Sequence, residues 1–358
     1  MIKTKRIGFM ALLLVVLTSC VVKKVTISNV EPKKDVNGNI INAHEGVIHR
    51  WKPRGRFYFY AMSYDKCNVS EISCRPGTCG SREDHNVSIY SSPDMSQNSW
   101  RFEGHALDTT NRPGGVYFRT YVFYNEKTAE YVVWSLLGHA LDGISGTYIV
   151  AASKTPTGPF HLVHSSTNMT HGVTGHGDFY GFKDEDGSAY IVYNTHGQIA
   201  VDKLTDDYYA STQKGTDFFP IQPGEAKFQE APLMFKRSGV YYVTHGHGCC
   251  ICLEGADAHL WTAKSPLGPY KYMTNIGSLP NGASRTQTQQ AFMSPIDTAN
   301  GTVYLWAGDR WQQAPDKLHA HDPQLWQPLE FYESESGPSV RNLKTVDELK
   351  EFDLYLDV

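Results

Sequence analysis

The sequence predicts an all-β chain folded as a five-bladed β-propeller, and three observations carry that prediction. A hairpin pattern of apolar strand, polar turn and Tyr-, Val-, Ile- or Trp-rich strand recurs five times. A second motif, Ser or Thr, then Pro, a short polar turn and an aromatic, is interleaved with it. No long stretch has the 3.6-residue period of an amphipathic helix.

The first hairpin is VIHRWKPRGRFYFY, ending at Tyr60, and the second is YVFYNEKTAEYVVW, ending at Trp134. FYGFKDEDGSAYIVY (to Tyr193), PLMFKRSGVYYVT (to Thr244) and FMSPIDTANGTVYLW (to Trp306) complete the set. Their loose, regular spacing is that of propeller blades. The second motif appears as SSPDMSQNSW (Ser91 to Trp100), SKTPTGPF (Ser153 to Phe160) and KSPLGPY (Lys264 to Tyr270), and suits a turn at the outer edge of a blade. A β-sandwich of unrelated hairpins would leave two interleaved repeats unexplained.

The N-terminus, MIKTKRIGFMALLLVVLTSC, has three basic residues followed by an apolar run too short to span a membrane. It reads as a secretory signal over residues 1–19. Leu17-Thr18-Ser19-Cys20 is similar to the bacterial lipoprotein box, which makes Cys20 the lipidated first residue; the alternative is a plain signal peptide with an accidental Cys. Residues 20–40 are expected to be a linker and residues 41–358 the propeller. The chain is therefore expected to be exported, to meet a membrane only through a lipid anchor, and to be a monomer. Lys and Arg number 33 against 37 Asp and Glu, with no basic run beyond the N-terminus, which argues against nucleic acid as a partner.

Six further cysteines form two clusters, Cys67, Cys74 and Cys79, then Cys249, Cys250 and Cys252. An even count in an oxidising compartment favours disulfides joining the two loops, but the connectivity is open. Zinc held by these thiolates with His245 and His247 is the rival reading, weakened by the absence of paired CxxC motifs. Four Asn-x-Ser/Thr sequons, at Asn68, Asn86, Asn168 and Asn300, matter only in a eukaryotic source.

Chemistry enters at one repeated offset. In a propeller the start of each inner strand lies near one mouth of the central channel. Reading back from each Tyr-rich strand gives Ala43-His44-Glu45, Phe118-Arg119, Asp178, Glu230 and Gln289-Gln290. At one blade a polar residue there is a turn residue. Across the set, convergence on one pocket of paired carboxylates is the stronger reading.

At Asp178 and Glu230 the chain resembles glycoside hydrolase family 43. The likeness rests on INAHEGVI, SWRFEGHALD, DFYGFKDEDGSAYIVY, KLTDDY, EAPLMFKRSGVYYVT, AGDRWQ and QLWQPLEF, of which the EAP and GDRW stretches are the most specific. It is more similar to the exo-β-1,3-galactanase branch than to the arabinanase or xylosidase branches. The resemblance implies an inverting hydrolase with Glu230 as general acid and Asp178 as the carboxylate that tunes it. Most of the family places a basic Asp where this chain has His44, and the galactanase branch instead presents a Gln, matched by Gln289. Galactanase-like members carry Glu-Arg-Pro where this chain reads Phe118-Arg119-Thr120, so a substrate-binding carboxylate is missing, and Glu45 is the candidate to replace it.

His44, Glu45, Arg119, Asp309, Arg310 and Trp311 are read as the substrate-binding set, with Trp311 preferred over Trp326 and Tyr180 as the ring that stacks on sugar because Asp309, Arg310 and Trp311 cluster behind an inner strand. No cofactor is required; His44 is either simply hydrogen-bonded or linked to a structural calcium in the channel. The expected partner is a polysaccharide or oligosaccharide, foremost a galactose-containing one of the β-1,3-galactan or arabinogalactan type. An arabinofuranosidase or xylosidase activity, a noncatalytic carbohydrate-binding propeller, and a metal-dependent protein are the rivals.

Overall fold

Each of the five hairpins forms the first two strands of a separate antiparallel sheet. In the computed structural model, which describes residues 21–140, 145–225 and 227–357, blade 1 is His44–Arg50, Phe57–Ser63, Asn86–Ser92 and Arg101–Leu107. Blade 2 is Gly115–Asn125, Glu130–Ala140, Ser145–Ser153 and His161–His164. Blade 3 is His176–Lys183, Ala189–Thr195, Gln198–Leu204 and Ser211–Gly215. Blade 4 is Gln229–Arg237, Val240–His247, His259–Ala263 and Lys271–Asn275. Blade 5 has three strands, Gln289–Thr298, Gly301–Asp309 and Gln324–Pro328. Strands follow chain order within every sheet, and no α-helix occurs among the described residues.

The first strand of each blade packs on the first strand of the next, and that of blade 5 packs back on that of blade 1. This closed circuit makes them the inner strands of a five-bladed propeller. Aromatic side chains fill the wedges between sheets: Phe59 and Trp100 of blade 1 meet Phe292 and Trp326 of blade 5, all fully buried. Burying such a side chain is worth about 2–3 kcal/mol, so these seams are a main source of cohesion. The Ser/Thr-Pro motif lies where expected, in the turn between third and fourth strands of blades 1, 2 and 4.

The N-terminal region differs from the expected linker. Val22–Ser28 pairs antiparallel with the C-terminal strand Glu351–Asp357, from Val22 opposite Asp357 to Ser28 opposite Glu351. Asn29 then clips this pair to blade 5, accepting from the Trp326 N–H and donating to the Trp326 carbonyl, each at 2.8 Å. The physical reason is the alternation of Val25 and Ile27, which are buried while their neighbours are polar. The signal segment and Cys20 lie outside the described residues.

Candidate active site

The five inner strands share an irregularity at the height where the site forms. Their register against the second strand slips between His44 and Gly46, Phe118 and Thr120, His176 and Phe179, Glu230 and Leu233, and Gln290 and Phe292. A bulge gives one strand an extra residue and re-aims the side chains around it. The residues inside the bulges include Glu45, Arg119, Asp178 and Ala231, and Glu45, Arg119 and Ala231 adopt φ of 40°, 45° and 50°. Left-handed backbone costs a non-glycine residue about 1–2 kcal/mol, and such strain gathers at functional sites.

Glu230 is the centre of the arrangement. Its Oε1 accepts from Gln289 Nε2 at 2.6 Å and from the backbone N–H of Cys249. No donor among the described residues meets Oε2, so a proton on this carboxyl resides on Oε2. Gln289 is oriented by Trp311, whose Nε1–H donates to Gln289 Oε1 at 2.9 Å; an indole only donates, which fixes the amide. Burial of the carboxyl, and next the charge of Asp178, push the Glu230 pKa up to about 8. Burial is thus a larger cause than repulsion by the carboxylate expected to tune it.

Arg119 bridges the two other carboxylates. Its Nη2 lies 2.8 Å from Asp178 Oδ2 and its Nε 3.4 Å from Glu45 Oε1, while its backbone N–H donates to Glu45 Oε2 at 3.1 Å. Asp178 also accepts from the Ala231 N–H at 3.2 Å, which ties it to the bulge beside Glu230. Glu45 is buried, and its pKa is raised by that burial against the opposing pull of Arg119. Tyr64, which sequence reasoning missed, donates its hydroxyl to Glu45 Oε2 at 2.7 Å. No repeat flags Tyr64, because it follows a second strand rather than preceding a first one. The Cys249 N–H was invisible for another reason: a backbone donor has no residue signature.

Five of the six residues expected to touch substrate are enclosed instead, among them Arg119 at 2% and Glu45 at 4% exposure. His44 and Asp309 are completely buried and Trp311 is 1% exposed, so none presents a face to a sugar. Trp326 and Tyr180 are equally buried, at 0% and 2%. These side chains position others. Asp309 takes the Glu45 N–H at 3.0 Å, Gln324 Nε2 at 2.8 Å and His44 Nδ1 at 3.3 Å. Burial opposes a charge on His44, but Asp309 outweighs it and holds the imidazole pKa above its ordinary value. With His44 Nε2 on the Ala320 carbonyl at 3.3 Å, both ring nitrogens are engaged. With both nitrogens taken, the His44 ring itself offers a calcium ion no free lone pair. Arg310 turns away, its Nε donating to Gln313 Oε1 at 3.0 Å.

The six cysteines form Cys67–Cys79, Cys74–Cys250 and Cys249–Cys252. One bond joins the two loops as anticipated and two lie within them. All six sulfurs are thereby used, which removes thiolates from the zinc reading. His245 accepts from Trp261 Nε1 at 2.9 Å, and His247 Nδ1 lies 3.0 Å from Asp257 Oδ1.

Similarity to other proteins agrees with this geometry. No curated protein matches the chain. Among solved structures, a GH43 β-1,3-galactosidase bound to galactodeoxynojirimycin superposes with a TM-score of 0.68 at 22% identity, covering 89% of this chain and 99% of that one. An exo-β-1,3-galactanase from Phanerochaete chrysosporium with galactose gives 0.65 at 23%, covering 88% and 66%. An exo-β-1,3-galactanase from Clostridium thermocellum gives 0.65 at 24%, covering 88% and 65%. At these identities the superpositions establish the fold. The model for glycosyl hydrolases family 43 matches residues 55–309, well over half of the sequence, and the chain belongs to that family of glycoside hydrolases.

Proposed function

We propose that this protein hydrolyses galactosidic bonds in β-1,3-galactan or arabinogalactan-type polysaccharides with inversion of configuration. The observation that carries the reading is Glu230, held by two donors on one oxygen beside Asp178 and with a pKa near 8. Such a carboxyl is protonated at neutral pH and gives its Oε2 proton to the departing glycosidic oxygen. Asp178, fixed by Arg119 and the Ala231 N–H, keeps that proton in place by its negative charge. Gln289 holds the attacking water: its Oε1 accepts from Trp311 and retains a second lone pair. His44 is not the base, since both its nitrogens are committed. Gln289 Nε2 lies 2.6 Å from Glu230 Oε1, closer than the roughly 6.5 to 9.5 Å that usually separates acid from water-activating group in inverting enzymes, so the configuration of the product is the deciding measurement.

The galactose specificity is supported by the galactosidase and galactanase neighbours. Export as a lipoprotein through Cys20 is supported by the N-terminal signal and by the full pairing of the other six cysteines.

The test is product release by residues 21–358 from β-1,3-galactan, arabinogalactan, arabinan and xylan, with the initial anomer read by NMR. We expect galactose-containing product of inverted configuration, and a loss of about 10²–10⁴-fold in Glu230→Gln. Release from arabinan or xylan alone would replace the substrate assignment. Glycan binding without turnover in either protein would make this a carbohydrate-binding propeller.

A further inference from the structure

With Trp311, Trp326 and Tyr180 enclosed, none of the three aromatics expected to stack on a sugar presents a face to one. We propose that Phe228 is that platform. It is 53% exposed and takes no part in the hydrophobic core. Single exposed apolar residues are ordinary on protein surfaces, so exposure alone argues nothing. The other strongly exposed aromatics among the described residues, Phe102, Tyr332 and Tyr355, lie on an outermost strand of blade 1 or on the C-terminal strands. Phe228 is distinguished by its place and by how it is held.

Its place follows from the ladder. The Gly248 N–H donates to the Phe228 carbonyl at 2.8 Å, continuing a register in which Gln229 faces His247 and Glu230 faces Gly246. Phe228 immediately precedes the strand that begins at Gln229, and the continued ladder sets it two residues from Glu230 on the same side, with Cα atoms about 6–7 Å apart. That separation is about one pyranose ring. Gln229 between them points the other way and is completely buried, with its Nε2 on Glu225 Oε1 at 3.0 Å.

Its support comes from two glycines. A Cβ on Gly197 would lie 2.7 Å from Phe228 Cδ2, and one on Gly248 would lie 3.0 Å from Cδ1. The ring is gripped at both edges by backbone, from the turn after the second strand of blade 3 and from the loop whose next residue, Cys249, donates to Glu230. A clamped, exposed aromatic loses little freedom on binding, which is what makes such residues effective anchors. The ligand chemistry is a neutral pyranose whose C–H face lies on the ring while the glycosidic oxygen faces Glu230 Oε2.

The proposal rests on the hydrolase reading, and its test separates the two. Affinity for β-1,3-galactotriose is measured by calorimetry in Glu230→Gln, with and without Phe228→Ala and Phe228→Trp. We expect about tenfold weaker binding in the Ala variant and recovery in the Trp variant. On the active protein, Phe228→Ala raises KM for the oligosaccharide by more than it lowers kcat. Equal affinity in all three proteins, with turnover intact, overturns the platform and leaves the hydrolase. Weakened binding in a protein that never turns over keeps the platform and removes the hydrolase.

Discussion

A single carboxyl with hydrogen-bond donors on only one of its two oxygens sets the pH behaviour of this protein. Glu230 must carry its proton to act, and a pKa near 8 means that the proton is present below pH 8 and lost above it. The alkaline limb of kcat/KM is therefore expected near pH 8, and Asp178→Asn is expected to move it downwards by removing a like charge. A limb in the ordinary carboxylate range would exclude Glu230 as the acid. Glu230, Asp178 and Gln289 were legible in the sequence because each stands at a fixed offset before a Tyr-rich strand. Trp311 was legible as important but not in its role: nothing in AGDRWQ says that the indole lies beneath an amide and not against solvent. Arg310 failed similarly, because adjacent residues at the end of a strand point to opposite sides.

At the scale of elements, five bulges and three disulfides do what regular strands cannot. The bulges sit beyond sequence reading, since one extra residue in an inner strand leaves both hairpin patterns intact; only the register shows it. They explain why Glu45 and Arg119, predicted as neighbours of a pocket, end up buried across from Asp178 as a bridged set. The cysteine loops were legible as disulfides but not in their pairing. Cys249–Cys252 closes the tight loop that presents the Cys249 N–H to Glu230, a bond that lowers the acid's pKa. The double variant Cys249→Ser/Cys252→Ser is expected to reduce kcat and shift the alkaline limb upwards, while Cys67→Ser/Cys79→Ser leaves the limb in place. Equal shifts in both would assign the effect to general loosening of the mouth and not to the lost donor.

For the whole molecule, five blades could be counted from five hairpins, because aromatic second strands are a strong local signal. Closure could not be read the same way. The partner of Val22–Ser28 lies at the far end of the chain, and a seven-residue strand with two inward apolar positions resembles a linker until Glu351–Asp357 is set beside it. These two strands set Val22 beside Asp357 and hold them by a ladder that opens from that end. Cys74–Cys250, by contrast, ties residues 176 positions apart and spans blade 5 from blade 1 to blade 4. The consequence is mechanical. A chain pulled between Val22 and Asp357 would peel this ladder rung by rung, yet the segment between the two cysteines would stay off the line of force. Force spectroscopy should find the stretched oxidised protein shorter than the reduced one by roughly 600 Å, the contour of the sequestered residues.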